Sequence, residues 1–148
     1  MLALFDRSLG VVESAGYVTA QVVGGVLGAV AANLMFDLSA VTWSTHTRSD
    51  SSLWFAEVIA TFGLLIVIAS LPRATSRGLA PFAVGGYIAA AYWFTSSTSF
   101  ANPAVTVGRM FTDTFAGIRP SSAPAFIAAQ LVGGVLAIGV GRYVFKEA

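Results

Sequence analysis

The sequence predicts an all-α membrane protein, and three features of its composition carry that prediction. Of the 148 residues, 56% are hydrophobic and only 10% are charged, with a mean hydropathy of +0.78. A soluble domain carries about 25% charged residues, so this much apolar surface requires a lipid solvent. The chain has no cysteine, which excludes disulfides, iron–sulfur clusters and thiol catalysis. Its net charge of +1 does not indicate nucleic-acid binding.

Nearly all charged residues lie between four long apolar runs, and Glu57 is the exception inside one of them. A helix needs about 20 apolar residues to cross a bilayer core of about 30 Å. The third run, 78–108, is too long for one crossing and must contain more than one element. We therefore expect spanning helices at about 14–36, 53–71, 79–95 and 124–145.

The third run divides at a polar tract, residues 95–99, which lipid tolerates only where it borders protein or a water-filled cavity. Asn102 and Pro103 follow it, and Asn at the cap with Pro at the first helical position is typical of a helix start. The apolar stretch behind them has only about nine residues, against the roughly 20 that a crossing needs. The pattern predicts a re-entrant half-helix at about 103–112.

An internal repeat relates the two ends of the chain. The segment Ala20–Leu27 matches Ala129–Leu136 at seven of eight positions, including Gln21 and Gln130. The second copy lies three spans after the first, so the two copies run in opposite directions, as in many channels and transporters. Moving the half-helix back by the number of residues that separates the two copies places its first-repeat counterpart before Met1. We expect the chain to begin within its first repeat, with two spanning helices and one half-helix missing.

The sequence resembles the aquaporin and aquaglyceroporin (major intrinsic protein) family over essentially the whole chain. Ser99–Ala104, with an Asn-Pro-Ala triplet, opens the half-helix as in that family. Tyr17–Gly25 looks like the family's third spanning helix, and Glu57 with Thr61-Phe62 resembles the fourth. The resemblance implies an inverted-repeat helical bundle in the plasma or inner membrane that conducts water and small neutral solutes without a cofactor. It also implies a homotetramer for the full-length protein. The alternative to a channel is a non-conducting truncated remnant or membrane subunit of the same fold.

The resemblance assigns pore roles to residues around the half-helix. Asn102 would donate hydrogen bonds to passing solutes; the alternative is a plain helix cap with no solute contact. Val105 stands where most family members have Arg; this resembles a bacterial subgroup associated with arsenic resistance, which adds arsenite to glycerol as a candidate solute. Val105 packing against a neighbour in a closed pore is the alternative. The expected pore and selectivity residues are Asn102, Pro103, Ala104, Val105, Ser99 and Ala90, with Ala89 or Ala91 nearly equivalent to Ala90.

Glu57 is the one acid inside an apolar run, and an ionisable group at that depth is a functional hypothesis. In the family its counterpart holds backbone N–H groups of the loop before the half-helix, here residues 95–101. A proton-carrying role would instead imply a transporter. The anchoring role is favoured because no second acid, His or Lys lies in these runs. Gln21 and Gln130 are expected to be similar loop anchors.

The remaining polar residues give no enzyme motif. His46 is expected to be a solvated loop residue, because a single His without neighbouring ligands rarely forms a metal site. Arg109 is expected at the rim of the pore or as a loop anchor. Arg73 and Arg77 occupy a short loop without acids, which predicts that this loop is cytoplasmic.

Overall fold

The computed structural model describes residues 10–71 and 76–145, without the side chains of residues 76 and 77. These residues form helices and irregular segments and contain no strand, which confirms the predicted all-α class. Arg73 belongs to the loop that is predicted to be cytoplasmic, and it lies outside the described residues, as do residues 1–9 and 146–148. The elements are α1 (Val11–Met35), α2 (Ser51–Ser70), α3 (Ser76–Phe94), α4 (Pro103–Gly108), a 3-10 turn (Arg109–Phe111) and α5 (Ala123–Val144).

The element boundaries differ from the expected ones by up to three residues. α1 begins at Val11 and not at residue 14, because Gly10 and Glu13 cap it: the Gly10 N–H donates to Glu13 Oε2 at 3.0 Å. An acid in the first turn is also favoured by the helix dipole. The half-helix changes from α-helix to a 3-10 turn at Arg109 and ends at Phe111.

The described residues divide into two compact units, of which the first comprises 10–49 and 102–127. In this unit α1 and α4 touch backbone to backbone where two glycines meet. A Cβ placed on Gly108 would lie 2.6 Å from the Gly25 carbonyl oxygen, and one on Gly25 would lie 3.0 Å from the Ala104 carbonyl oxygen. Small residues allow such close helix crossings in membranes. The short half-helix is thereby packed directly on a long helix.

Asn33 ties the end of α1 to the segment that follows α4. Its side chain is 2% exposed, and its Nδ2 donates to the carbonyl oxygens of Phe111 at 3.0 Å and Ala40 at 3.2 Å. Its Oδ1 accepts from the Thr112 hydroxyl at 2.7 Å. A buried amide with its donors and acceptor all used rigidifies its surroundings, because leaving any of them unpaired costs about 1–3 kcal/mol.

Arg48 connects the loop after α1 with the loop before α5. Its guanidinium is buried and donates through Nε to the Gly117 carbonyl at 2.8 Å and through Nη2 to the Phe115 carbonyl at 2.9 Å. The Arg48 backbone N–H donates to the Ser122 hydroxyl at 3.2 Å. The planar guanidinium suits several carbonyls at once, which explains an arginine at this buried position.

The second unit comprises residues 50–71, 76–101 and 128–145. Here α2 packs against α3 and α5 through glycines, because a Cβ on Gly63 would collide with the Tyr87 hydroxyl and one on Gly133 with the Val58 carbonyl. The Tyr87 hydroxyl donates to the Ala60 carbonyl at 3.0 Å. These contacts bury the face of α2 that carries Glu57.

Three of the described helices are long and apolar enough to cross a membrane: Val11–Met35, Ser51–Ser70 and Ala123–Val144. The apolar segment Gly78–Phe94 of α3 is shorter. Large apolar side chains are exposed along these helices; Val12 and Trp93, for example, are each 86% exposed. Such exposure suits a lipid solvent, where the backbone groups are satisfied within each helix. The protein is a multi-pass membrane protein.

Candidate functional site

The half-helix α4 begins at Asn102. The Asn102 backbone is extended, with φ −157° and ψ 123°, and its Oδ1 accepts from the N–H of Ala104 at 2.8 Å and of Val105 at 3.4 Å. Pro103 occupies the first helical position, where its missing N–H costs nothing. Because backbone N–H groups require an oxygen acceptor, the cap fixes which side of the amide carries Oδ1. No described residue accepts from Nδ2, and Asn102 is half-exposed.

The residues after Asn102 face in different directions. Pro103 is exposed, Ala104 is 7% exposed and Val105 is half-buried. The Ala104 carbonyl oxygen faces Gly25, where an added Cβ would lie 3.0 Å from it. Val105 lines a largely apolar cavity of about 560 Å³ within the first unit. The other lining residues are Gly25, Ala29, Ala32, Asn33, Phe36, Leu38, Gly108, Arg109, Thr112, Thr114 and Ala116.

The loop before the half-helix has an unusual backbone. Thr98, Ser99 and Ala101 have φ of 61°, 46° and 47°. This left-handed region is uncommon for residues other than glycine, and a β-branched residue such as Thr98 is a marked exception there. Each such residue costs on the order of 1–3 kcal/mol and persists only where surrounding contacts impose it. The loop must therefore be held from outside its own backbone.

Glu57 holds this loop in its strained backbone conformation. Its Oε1 accepts from the Ser97 hydroxyl at 2.6 Å and the Phe100 N–H at 2.9 Å. Its Oε2 accepts from the Ala101 N–H at 2.9 Å and from Gln130 Nε2 at 2.7 Å. The carboxylate is 0% exposed, and its two oxygens together accept four hydrogen bonds. Four donors match an ionised carboxylate, which only accepts, and they offset the cost of burying its charge.

The contacts of Glu57 bear on its two candidate roles. The four donors to the Glu57 carboxylate are one hydroxyl, two backbone N–H groups and one side-chain amide, and none of them is a carboxyl, imidazole or amine. A proton carrier needs a group with which to exchange the proton within hydrogen-bond reach. The geometry around Glu57 therefore favours an anchor for the loop.

The two glutamines of the repeat have different environments. Gln130 is 1% exposed and donates to Glu57, whereas Gln21 is exposed on α1. The anchoring role of Gln21 stays a prediction. The expected constriction residues also differ from one another: Ser99 is 5% exposed and Ala90 is exposed. Of the two near-equivalents of Ala90, Ala91 is fully buried and Ala89 is exposed.

His46 lies in an exposed loop of the first unit with Asp113. Its Nε2 is 3.9 Å from Asp113 Oδ1, and the same oxygen accepts from the Thr45 N–H at 2.7 Å. The Thr45 backbone hydrogen bond is the main reason that the pKa of Asp113 lies below its ordinary value, with smaller contributions from the Thr45 hydroxyl and His46. An exposed pair at this distance contributes little to stability.

Comparison with known proteins identifies the family. Aquaglyceroporin AqpS from Rhizobium meliloti (strain 1021) is 46% identical over 136 residues, which cover 92% of this chain. The chain belongs to the aquaporin (major intrinsic protein) family. It spans 58% of the length of that relative. No protein-family profile and no solved structure matches the chain. The family resemblance predicted from the Asn-Pro-Ala segment and the repeat is confirmed.

Several contacts in this aquaporin chain were not singled out from the sequence. Ser97 donates to Glu57 and also accepts from the Ser99 N–H at 3.2 Å. Asn33 and Arg48 hold the end of the 3-10 turn and the segment that follows it. The polar tract indicated that residues 95–99 face protein or water, which is the signal for Ser97. The sequence signal for Asn33 was an amide side chain near the end of an otherwise apolar helix.

Proposed function

We propose that the full-length protein containing this chain is a passive membrane channel for small neutral solutes. Glycerol is the first candidate solute, followed by water and by arsenite, which is neutral as arsenous acid near neutral pH. The name of the relative, an aquaglyceroporin, supports this solute class. The observation that carries the proposal is the Glu57 carboxylate, which holds the loop of residues 95–101 in a strained backbone up to the residue before Asn102.

The proposed role of Asn102 is to donate hydrogen bonds to passing solutes through Nδ2. This role is supported by the helix cap, which uses Oδ1 and leaves Nδ2 without an acceptor among the described residues. The N-terminus of a helix adds partial positive charge of about +0.5, which opposes cations. Pro103 and Ala104 then serve to start and pack the half-helix, and Gln130 shares the anchoring of the loop with Glu57.

Val105 is proposed as a lining residue of the narrow part of the pathway, with Ser99 and Ala90 as further lining residues. A valine there is small and carries no hydrogen-bond donor, so it leaves more width than an arginine would. The apolar cavity beside Val105 supports a preference for solutes with a carbon skeleton over water alone. We further propose a homotetramer in the plasma or inner membrane, as the family resemblance implies.

Glycerol uptake into proteoliposomes tests this proposal. Vesicles that contain the purified full-length protein are mixed with glycerol in a stopped-flow instrument, with and without a pH gradient, and compared with empty vesicles. A channel gives uptake above that of empty vesicles at the same rate in both conditions. Uptake that requires the pH gradient would support the transporter alternative for Glu57, and no uptake in either condition would support a non-conducting membrane subunit.

A further inference from the structure

The segment after the 3-10 turn contributes two threonines to the apolar cavity of the first unit. Thr112 and Thr114 both line this cavity of about 560 Å³, together with Asn33 near the end of α1. Cavities that hold small ligands have volumes of about 300–1,000 Å³ and combine mostly apolar walls with a few placed polar groups. The size and the lining of this cavity therefore suit a small ligand.

The hydrogen bonds of Asn33 and Thr112 are taken up by protein partners. Asn33 uses its two amide protons on the carbonyl oxygens of Ala40 and Phe111. Its Oδ1 accepts from the Thr112 hydroxyl at 2.7 Å, and the same hydroxyl lies 3.2 Å from Thr114 Oγ1. A hydroxyl carries only one proton, and the shorter bond to Asn33 uses it. The Thr114 hydroxyl is thus left with unused hydrogen-bonding capacity.

Thr114 is the lining side chain that can both donate to a solute and accept from it. It is half-buried, and no described residue accepts from its hydroxyl. Arg109 lines the cavity as well, but a guanidinium only donates. A solute O–H that enters an apolar cavity loses its water, which costs free energy unless the O–H finds a new acceptor. Thr114 Oγ1 can be that acceptor.

The turn that carries Thr114 is held in place from several sides. The Thr114 carbonyl accepts from the Gly117 N–H at 2.8 Å. The buried Arg48 guanidinium donates to the carbonyls of Phe115 and Gly117. A Cβ on Gly117 would collide with the Thr112 carbonyl, so the turn is also tightly packed. Groups that are fixed before binding lose less conformational entropy when a ligand arrives.

We propose that this cavity is a binding site for a small polyol. The Thr114 hydroxyl exchanges hydrogen bonds with one hydroxyl group of the solute, and the apolar walls contact its carbon atoms. The inference rests on the proposed channel function and adds a place where the solute is held beside Val105, which lines the same cavity. A polyol matches both parts of the lining, whereas water offers no carbon surface and an ion would lose its hydration to apolar walls.

Equilibrium exchange of labelled glycerol in proteoliposomes that contain the full-length protein tests this site. Exchange is measured over a wide range of glycerol concentrations, equal on both sides of the membrane, which gives the half-saturating concentration and the maximal rate separately. Thr114→Val retains the shape of the side chain and removes the hydroxyl. It should raise the half-saturating concentration about three- to tenfold, the usual effect of one lost hydrogen bond between neutral groups. The water permeability of the same vesicles should not change.

Three further variants separate the hydroxyl from side-chain packing. Thr114→Ala also lacks the hydroxyl and should give the same rise as Thr114→Val. Thr114→Ser loses a methyl group but retains the hydroxyl, so it should retain the original half-saturating concentration. The matched control is Thr47→Val, since Thr47 is exposed and does not line the cavity. This control should also retain the original value.

Two results would overturn the binding role of Thr114. One is an unchanged half-saturating concentration in both the Val and Ala variants, or an equal rise in the Val and Ser variants. The other is exchange by the unmodified protein that rises in proportion to glycerol concentration and never saturates. Exchange by the unmodified protein that does not exceed that of empty vesicles would instead overturn the channel function on which this site rests.

Discussion

The Ala101 backbone N–H donates to Glu57 Oε2 at 2.9 Å, and Ala101 has a left-handed backbone with φ 47°. A residue on α2 thus holds a strained peptide directly before the cap of the half-helix in the sequence. The neighbouring Phe100 N–H donates to the other oxygen of the same carboxylate. One buried side chain therefore accepts hydrogen bonds from two consecutive backbone N–H groups of the loop.

Replacing the carboxylate with an amide tests this relationship. Glu57→Gln puts an NH₂ group where Phe100 or Ala101 now donates, so at least one buried N–H loses its acceptor, at a cost of about 1–3 kcal/mol. We expect a lower melting temperature in detergent and a loss of most glycerol uptake. Asp50→Asn, at an exposed acid whose side chain makes no cap hydrogen bond, is the matched control and should change stability by no more than about 0.5 kcal/mol. Equal stability and uptake of the Glu57 variant and the original protein would contradict the anchoring role.

The crossing of α1 and α4 makes a second prediction. Gly108→Ala places a Cβ at 2.6 Å from the Gly25 carbonyl oxygen, so the half-helix must move away from α1. Overpacking of this kind typically costs about 1–3 kcal/mol. The control is Gly16→Ala on α1, where a Cβ meets no other atom within 4 Å. Thermal unfolding should show destabilisation for Gly108→Ala only, and equal melting temperatures for the two variants would show that the crossing is not tight.

The sequence was sufficient for the helical class but not for the contacts that shape the loop. The apolar runs and the Asn102-Pro103 start are local patterns, so element type and approximate position follow from them. Glu57 stood out as the only acid in an apolar run. Its four donors could not be counted in advance, because Ser97 and Gln130 reach it only after α2, α3 and α5 have packed. The left-handed backbone at Thr98 runs against local preference and is imposed by these same tertiary contacts.

Asp113 predicts a pH dependence of stability in the exposed loop. Its pKa in the folded protein is below the ordinary value, chiefly because the Thr45 N–H donates to its carboxylate. A lowered pKa means that the folded state favours the charged form, so its stabilising contribution is present at neutral pH and is lost as pH falls through the folded pKa. The melting temperature of Asp113→Asn should be below that of the original protein at pH 7, and the difference should shrink below about pH 4. A difference that grows on acidification would contradict this assignment.

Val105 predicts how solute selectivity changes in the full-length protein. Val105→Arg adds a cation and five N–H donors beside the apolar cavity and narrows it. We expect uptake of glycerol and arsenite to fall while water flux stays within a few-fold of its original value. Stopped-flow measurements on vesicles with confirmed protein insertion give both fluxes. If uptake of both solutes is unchanged, position 105 does not line the narrow part of the pathway.

Glycerol flux through an Asn102→Asp variant tests the account most directly. Asp has nearly the same shape as Asn and is an equally good helix cap, so α4 retains its start while Nδ2, the proposed donor to solutes, is replaced by an oxygen. The full-length variant is compared with the original protein and with Asp50→Asn at an exposed residue, which should conduct normally. The account predicts an unchanged melting temperature and a glycerol flux lowered about tenfold or more, because the solute loses a hydrogen-bond donor in a confined site. An unchanged melting temperature with undiminished glycerol flux would contradict the role of Asn102 and show that it is only a helix cap.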